Sequence, residues 1–163
     1  VIRAVLPAMR KEGSGHIVLF SAIGGFHGVP GFGLYASAKS ATIVLGESLA
    51  AELKPLGLDV TVLTIGVFDT GIATRVMVAN REIDDYAQTP AAHFKNMIRN
   101  LSGNEPNDPV KAAHAIVKLL ESENPPVNTA LGADALSGMR NKMAGLEAEL
   151  SAWETNAVST TKD

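Results

Sequence analysis

The stretch FSAIGGFHGVPGFGLYASAK, residues 20–39, decides the reading of this chain. An apolar run from His16 to Phe20 ends at the small hydroxylated Ser21, passes through a loop rich in Gly and Pro, and enters an alanine-rich helix carrying Tyr35 and Lys39. That order is a strand handing its C-terminal end to a helix. In an open α/β sheet, ligands sit in the crevice beyond the strand ends, which makes Ser21, Tyr35 and Lys39 candidates for lining it. Because Tyr35 and Lys39 are four apart, a helix puts both on one face. A free tyrosine, with a pKa of about 10, is a poor base at neutral pH. A neighbouring cation favours the phenolate, and a phenol tuned in this way can exchange a proton with an alcohol or carbonyl oxygen. Y-x-x-x-K alone is short and common; by itself it equally describes a tyrosine packed by its ring beside a solvated lysine.

The flanks carry the pattern further. With LPAMRKEGSGHIVLFSAIGG (residues 6–25) before the motif and SATIVLGESLAAELKPLGLDVTVL (residues 40–63) after it, the chain resembles the short-chain dehydrogenase/reductase family over nearly its whole length. In that family a strand ending in serine, a Gly-rich loop and Y-x-x-x-K on the next helix make up the active site. The resemblance implies hydride transfer between NAD or NADP and a small-molecule alcohol or carbonyl substrate. In it Tyr35 is the acid/base, and Lys39 holds the nicotinamide ribose and depresses the tyrosine pKa. It also implies a homo-oligomer, since this helix and its predecessor commonly pack against their copies in the family. The small residues Ala36, Ser37, Ala38, Ser40 and Ala41 equally allow the helix to lie close on its own sheet.

One departure bears on the site. Counting back from Tyr35 at the family's spacing, the position of the catalytic serine falls on Ala22 rather than Ser21. Successive strand side chains point to opposite faces. Either the end of the strand bulges and re-aims Ser21 at the substrate, or the hydroxyl that would polarise the substrate oxygen is missing.

Composition narrows the alternatives. A chain of 163 residues with 46% hydrophobic content is long enough to bury a core as one domain. A net charge of −3 with no block of like charges argues against a nucleic-acid or anionic-membrane partner. With no cysteine there is no disulfide framework and no thiolate nucleophile. No run approaches the roughly eighteen apolar residues of a membrane span, and no charged start precedes an apolar core; the expected location is the cytoplasm. His16, His27, His93 and His114 show no H-x-x-x-H or H-E-x-x-H spacing, so no metal site is expected.

Taken in order, residues 1–10 read as a helix entered without a capping residue. No G-x-G-x-x-G opens a helix, and Gly24, Gly25, Gly28, Gly31 and Gly33 suit tight turns and close passage rather than a phosphate cradle. The expectation is therefore a C-terminal portion of the resembled family, without its Gly-rich nucleotide-binding half and inactive alone. The alternative is a catalytically silent remnant that serves as an association domain. A helix over 32–56 stops at Gly57, and LDVTVLTIG (58–66) is β-branched enough for a central parallel strand. Its continuation, Gly66 to Thr70, resembles in part the family's P-G-x-V-x-T, which implies cofactor contacts for Gly66 and Thr70; Thr70 is also a candidate N-cap for a short helix near Gly71.

Residues 71–107 are weakly helical, the place of the family's substrate loop, with Met77, Val78, Ile83, Tyr86, Phe94, Met97 and Ile98 as candidate lining. Asp108-Pro109 begins a helix as N-cap and first residue; a strand follows at 127–131, then an amphipathic helix with Glu147, Glu149 and Glu154 on solvated faces, and a polar tail over 154–163, its end disordered. The expected fold is α/β: a partial Rossmann-like doubly wound parallel sheet of three strands, 16–20, 58–64 and 127–131, with flanking helices, in one domain over 1–153.

Overall fold

The structure, a computed structural model, describes residues 1–76 and 81–162. Its elements run α1 (Ile2–Glu12), β1 (Gly15–Ala22), α2 (Ile23–Phe26), α3 (Gly33–Leu53), β2 (Leu58–Ile65), α4 (Pro90–Asn100), α5 (Pro109–Leu120), β3 (Asn128–Leu131) and α6 (Ala133–Val158). The three strands form one parallel sheet in the order β1-β2-β3. They lie where the β-branched runs predict them, with β1 extended to Ala22. Parallel neighbours need long crossovers, which α2–α3 supply between β1 and β2 and the α4–α5 region between β2 and β3.

β2 is the centre of the core. Leu58, Val60, Thr61, Val62, Leu63 and Thr64 are all buried, the near-continuous burial of a strand covered on both faces. Ile17 of β1 joins Leu58 and Val60 with Ala50 and Leu53 of α3, and Ile2, Leu6 and Met9 of α1 close over them. Apolar burial of this kind stabilises by about 25 cal/mol per Å² removed from water. α3 turns Ala36, Ile43, Gly46, Ala50 and Leu53 to the body and ends in a short 3-10 turn closed by Gly57 at φ 73°, a left-handed conformation that glycine adopts without penalty. Ala38, Ala41 and Leu45 of the same helix face solvent.

A buried polar chain crosses the strands. Thr61 Oγ1 donates to the Pro126 carbonyl at 2.7 Å, and His16 Nε2 lies 2.9 Å from the same oxygen. The threonine hydrogen is committed to Pro126, so Nε2 must carry the donor hydrogen. Burial pushes the His16 pKa down, opposed in part by the Asp59 carboxylate.

Asp108 caps α5 as expected, its carboxylate accepting from Val110 N at 2.7 Å and Lys111 N at 3.3 Å. Two expectations need correction. Thr70 caps no helix: the short turn there is Ala73–Arg75 with Ile72 at its N-cap, and the Thr70 hydroxyl donates to Phe68 O at 3.4 Å. The C-terminal helix also runs to Val158, beyond the predicted start of the tail at 154. Ala152, Glu154 and Ala157 are good helix formers and no Gly or Pro interrupts them. Of the proposed substrate lining, Met77 and Val78 lie outside the described residues. Ile83, Tyr86 and Met97 are exposed, while Phe94 packs edge-on against Phe32 with centroids 5.0 Å apart.

Because the His16 pKa is lower in the folded chain than in the unfolded one, its contribution to stability is present above about pH 6.5 and is lost as the pH falls through the folded value. Thermal melts from pH 7.5 down to 5 should show a steeper fall for the native chain than for His16→Gln, which keeps a donor to Thr61. Equal slopes would mean that His16 titrates as an ordinary histidine.

Candidate active site

The end of β1 and the start of α3 are tied reciprocally. Ser21 Oγ donates to the Lys39 carbonyl at 2.9 Å, and Lys39 Nζ donates to the Phe20 carbonyl at 3.1 Å. Ser40 Oγ donates to Gly25 O beside them. α2 approaches α3 so closely that a Cβ on Gly25 would overlap Lys39 Cβ, so no larger residue fits there. The segment from Ser21 to Lys39 is thus a packed strand–turn–helix unit whose open end carries Tyr35.

Ser21 does not line the crevice. β1 pairs with β2 through Ser21↔Thr64 and Ala22↔Ile65 without a slip, so no bulge re-aims the side chain. Ser21 is fully buried and its hydroxyl hydrogen is committed to Lys39 O. Alternation along an unbroken strand turns residue 22 to the opposite face, and that residue is an alanine.

Tyr35 is 46% exposed, held on one side by Phe32 edge-on at 5.8 Å between centroids. Lys39 Nζ stands over the Tyr35 ring, 5.9 Å from its centroid, a cation–π geometry. Burial pushes the phenol pKa up from 10. This is opposite to the expectation of a depressed pKa, because desolvation disfavours the phenolate. Tyr35 and Lys39 are therefore brought together as predicted, but with a protonated phenol at neutral pH. Neither of two shallow depressions, one beside His27 and Ser37 and one beside Ile83 and Ala91, is lined by Tyr35 or Lys39.

The other predicted contact segment, Gly66 to Thr70, leaves β2 and is fixed by two residues that sequence reasoning missed. Asp134 Oδ2 accepts from Val67 N at 2.8 Å and its Oδ1 accepts from Asn107 Nδ2 at 2.8 Å. Asn107 Nδ2 also donates to Val67 O at 2.7 Å, and the Asn107 carbonyl accepts from Asp69 N at 3.1 Å. Gly66 N donates to Leu131 O at 2.8 Å, and a Cβ on Gly66 would overlap the Asp134 carboxylate. In sequence Asp134 looks like an ordinary acidic residue in the first turn of a helix, and nothing local links it to residue 67. Among the described residues no group of three or more acidic or histidine side chains is placed to hold a metal ion.

Residues 1–80 match the family model described as short chain dehydrogenase. The chain is 37% identical over 136 residues to the oxidoreductase BOA17 of Botryotinia fuckeliana, covering 83% of this chain and 49% of that protein. A short-chain dehydrogenase from Streptomyces avermitilis has the same fold, with a TM-score of 0.83 and 33% identity over 98% of this chain and 57% of that one. A short chain dehydrogenase/reductase from Burkholderia phymatum, solved in complex with NAD, is similar in fold alone: TM-score 0.70, 18% identity, 91% of this chain and 54% of that one. The chain spans about half the length of the curated relatives it matches.

Two outcomes are expected. The alkaline absorbance difference between the native chain and Tyr35→Phe should show a tyrosinate midpoint above 10; a midpoint below 10 would place the Lys39 cation in control of the phenol. In urea, Asp134→Ala should lose about 1–3 kcal/mol, and Asn107→Asp should lose more than Asn107→Ala because two carboxylates would then face each other.

Proposed function

The chain belongs to the short-chain dehydrogenase family, and from that premise we propose that it carries the proton-transfer side of a hydride-transfer site acting on a small alcohol or carbonyl. The observation that carries this reading is the anchored pair: Tyr35 at the mouth of the strand–turn–helix unit, with Lys39 fastened to the end of β1 one helical turn behind it. The residues present suit the nicotinamide end of NAD or NADP. Lys39 spends one N–H on Phe20 O at an exposed position, and a Cβ at Gly28 or Gly33 would meet nothing within 4 Å. Lys39 and Tyr35 would hold the ribose, and the exposed Thr70 hydroxyl, only weakly engaged at 3.4 Å, the carboxamide.

The bound cofactor supplies or accepts the hydride. In reduction Tyr35 passes its phenolic proton to the carbonyl oxygen as that carbon gains the hydride; in oxidation the phenolate takes the proton from the alcohol. A phenol kept protonated by burial is ready for the donor role, since a general acid must hold its proton at the working pH. Ser21 acts through position only, holding the Lys39 backbone against the strand end. The substrate oxygen then lacks the hydroxyl that residue 22 would contribute. The exposed stripe of Leu34, Ala38, Ala41 and Leu45 on α3 supports a homo-oligomer through that helix.

A second reading, a catalytically silent association domain, draws on the same Ala22 and the committed Ser21. Activity of the full-length protein with NAD(P)H and a panel of ketones separates the two. We expect turnover that Tyr35→Phe abolishes, and a gain in Ala22→Ser approaching the roughly two to three powers of ten that a single preorganised donor supplies. Turnover that survives Tyr35→Phe would refute the proton-transfer role, and its absence even in Ala22→Ser would favour the silent domain.

A further inference from the structure

α6 leaves the body of the molecule. In its first turns Ala135 is fully buried and a Cβ at Gly138 would press on Ile23. From Arg140 to Lys162 every residue is exposed. About five helical turns are therefore exposed, with Lys142 bordering the depression beside His27 and Ser37, although most helical stability in proteins comes from packing an apolar face. The exposed part is not uniformly polar: Met143 is 52% exposed, Leu146 43%, Leu150 60% and Trp153 68%.

These residues follow a strict rule. Leu136, Met139, Met143, Leu146, Leu150 and Trp153 are separated alternately by three and four positions. That is the a/d repeat of a coiled-coil seam rather than the broader stripe of a helix packed on a domain. With Met143 at a and Leu146 at d, the flanking e positions are Arg140, Glu147 and Glu154 and the g positions Lys142, Glu149 and Asn156. Flanking charges set partner and orientation in such seams, and here they discriminate. Two antiparallel copies centred on Met143 and Leu146 place Arg140 against Glu147 and Lys142 against Glu149, each twice by symmetry, with no like charges opposed. Sliding one heptad in one direction brings Arg140 to Glu154 but sets Glu147 and Glu149 against their own copies; in the other it sets Arg140 and Lys142 against theirs with no attraction in return. A parallel pair sets Lys142 against Glu147 but opposes Glu149 to Glu154, so its attractions are offset where those of the antiparallel pair are not.

We infer that α6 is a self-association helix, pairing antiparallel with α6 of a second copy of this chain along the seam from Leu136 to Trp153. This interface is separate from the α3 stripe and independent of any catalytic role. It gives Trp153 and the acidic group at 147 and 149 a purpose that a solvated helix face does not.

Sedimentation equilibrium of the full chain tests it. Leu146→Glu with Leu150→Glu in one chain should halve the assembly mass, whatever α3 contributes. As a control that leaves the apolar seam intact, Glu147→Arg should weaken dimerisation by at least about tenfold, and adding Arg140→Glu to the same chain should restore it. The chain has no cysteine of its own, so introduced thiols report orientation directly. Met143→Cys mixed with Leu146→Cys should form a disulfide between unlike chains on oxidation, and Met143→Cys alone should not. A monomeric native protein, as when further polypeptide covers the seam, would overturn the inference. So would an assembly mass unchanged by the two glutamates, failure of the charge swap to rescue, or a Met143→Cys homodimer, which marks a parallel pair.

Discussion

The site rests on a reciprocal pair of hydrogen bonds: the Ser21 hydroxyl to the Lys39 carbonyl, and the Lys39 ammonium to the Phe20 carbonyl. Each joins the last residues of β1 to the first half of α3, and together they set the azimuth of the helix relative to the strand. Tyr35 lies one turn before Lys39, so fixing that azimuth fixes where the phenol emerges. An exposed pair of side chains would gain little from such contacts. Here one donor is fully buried, and leaving a buried hydroxyl without its acceptor would cost more than the bond contributes. The serine at the end of β1 is thus spent on architecture, and the proposed chemistry rests on Tyr35 and Lys39.

A second constraint acts at the far side of β2. Asp134 and Asn107 come from segments distant in sequence, yet both bind the backbone of Val67, one its N–H and the other its carbonyl. A charged acceptor on a backbone N–H is among the stronger hydrogen bonds, and the glycine beside it gives the carboxylate the space it fills. The β2 exit is therefore held from the α5 and α6 sides at once. The two flanks of the crevice are positioned by different means, one by helix-to-strand packing and the other by a polar clip.

The outward run of α6 shows the same economy in reverse. Its first turns are used against α2 and β3, and its remainder leaves the body with its apolar residues in coiled-coil register. No helix among the described residues is long and apolar enough to cross a membrane.

What the sequence determined by itself was local. β-branched runs placed the three strands, Asp108-Pro109 marked the start of α5, and the four-residue spacing put Tyr35 beside Lys39, because each depends on contacts within a turn or on alternation along one strand. The flanking segments also pointed to the family and its parallel sheet. Tertiary structure alone decided the rest. The direction of Ser21 depended on an unslipped register with β2. The rise in the Tyr35 pKa depended on which neighbours desolvate the phenol. The clip on Val67 joins residues 40 and 67 positions apart. These are outcomes of burial and of distance between segments far apart in the chain, and neither propensity nor spacing encodes them.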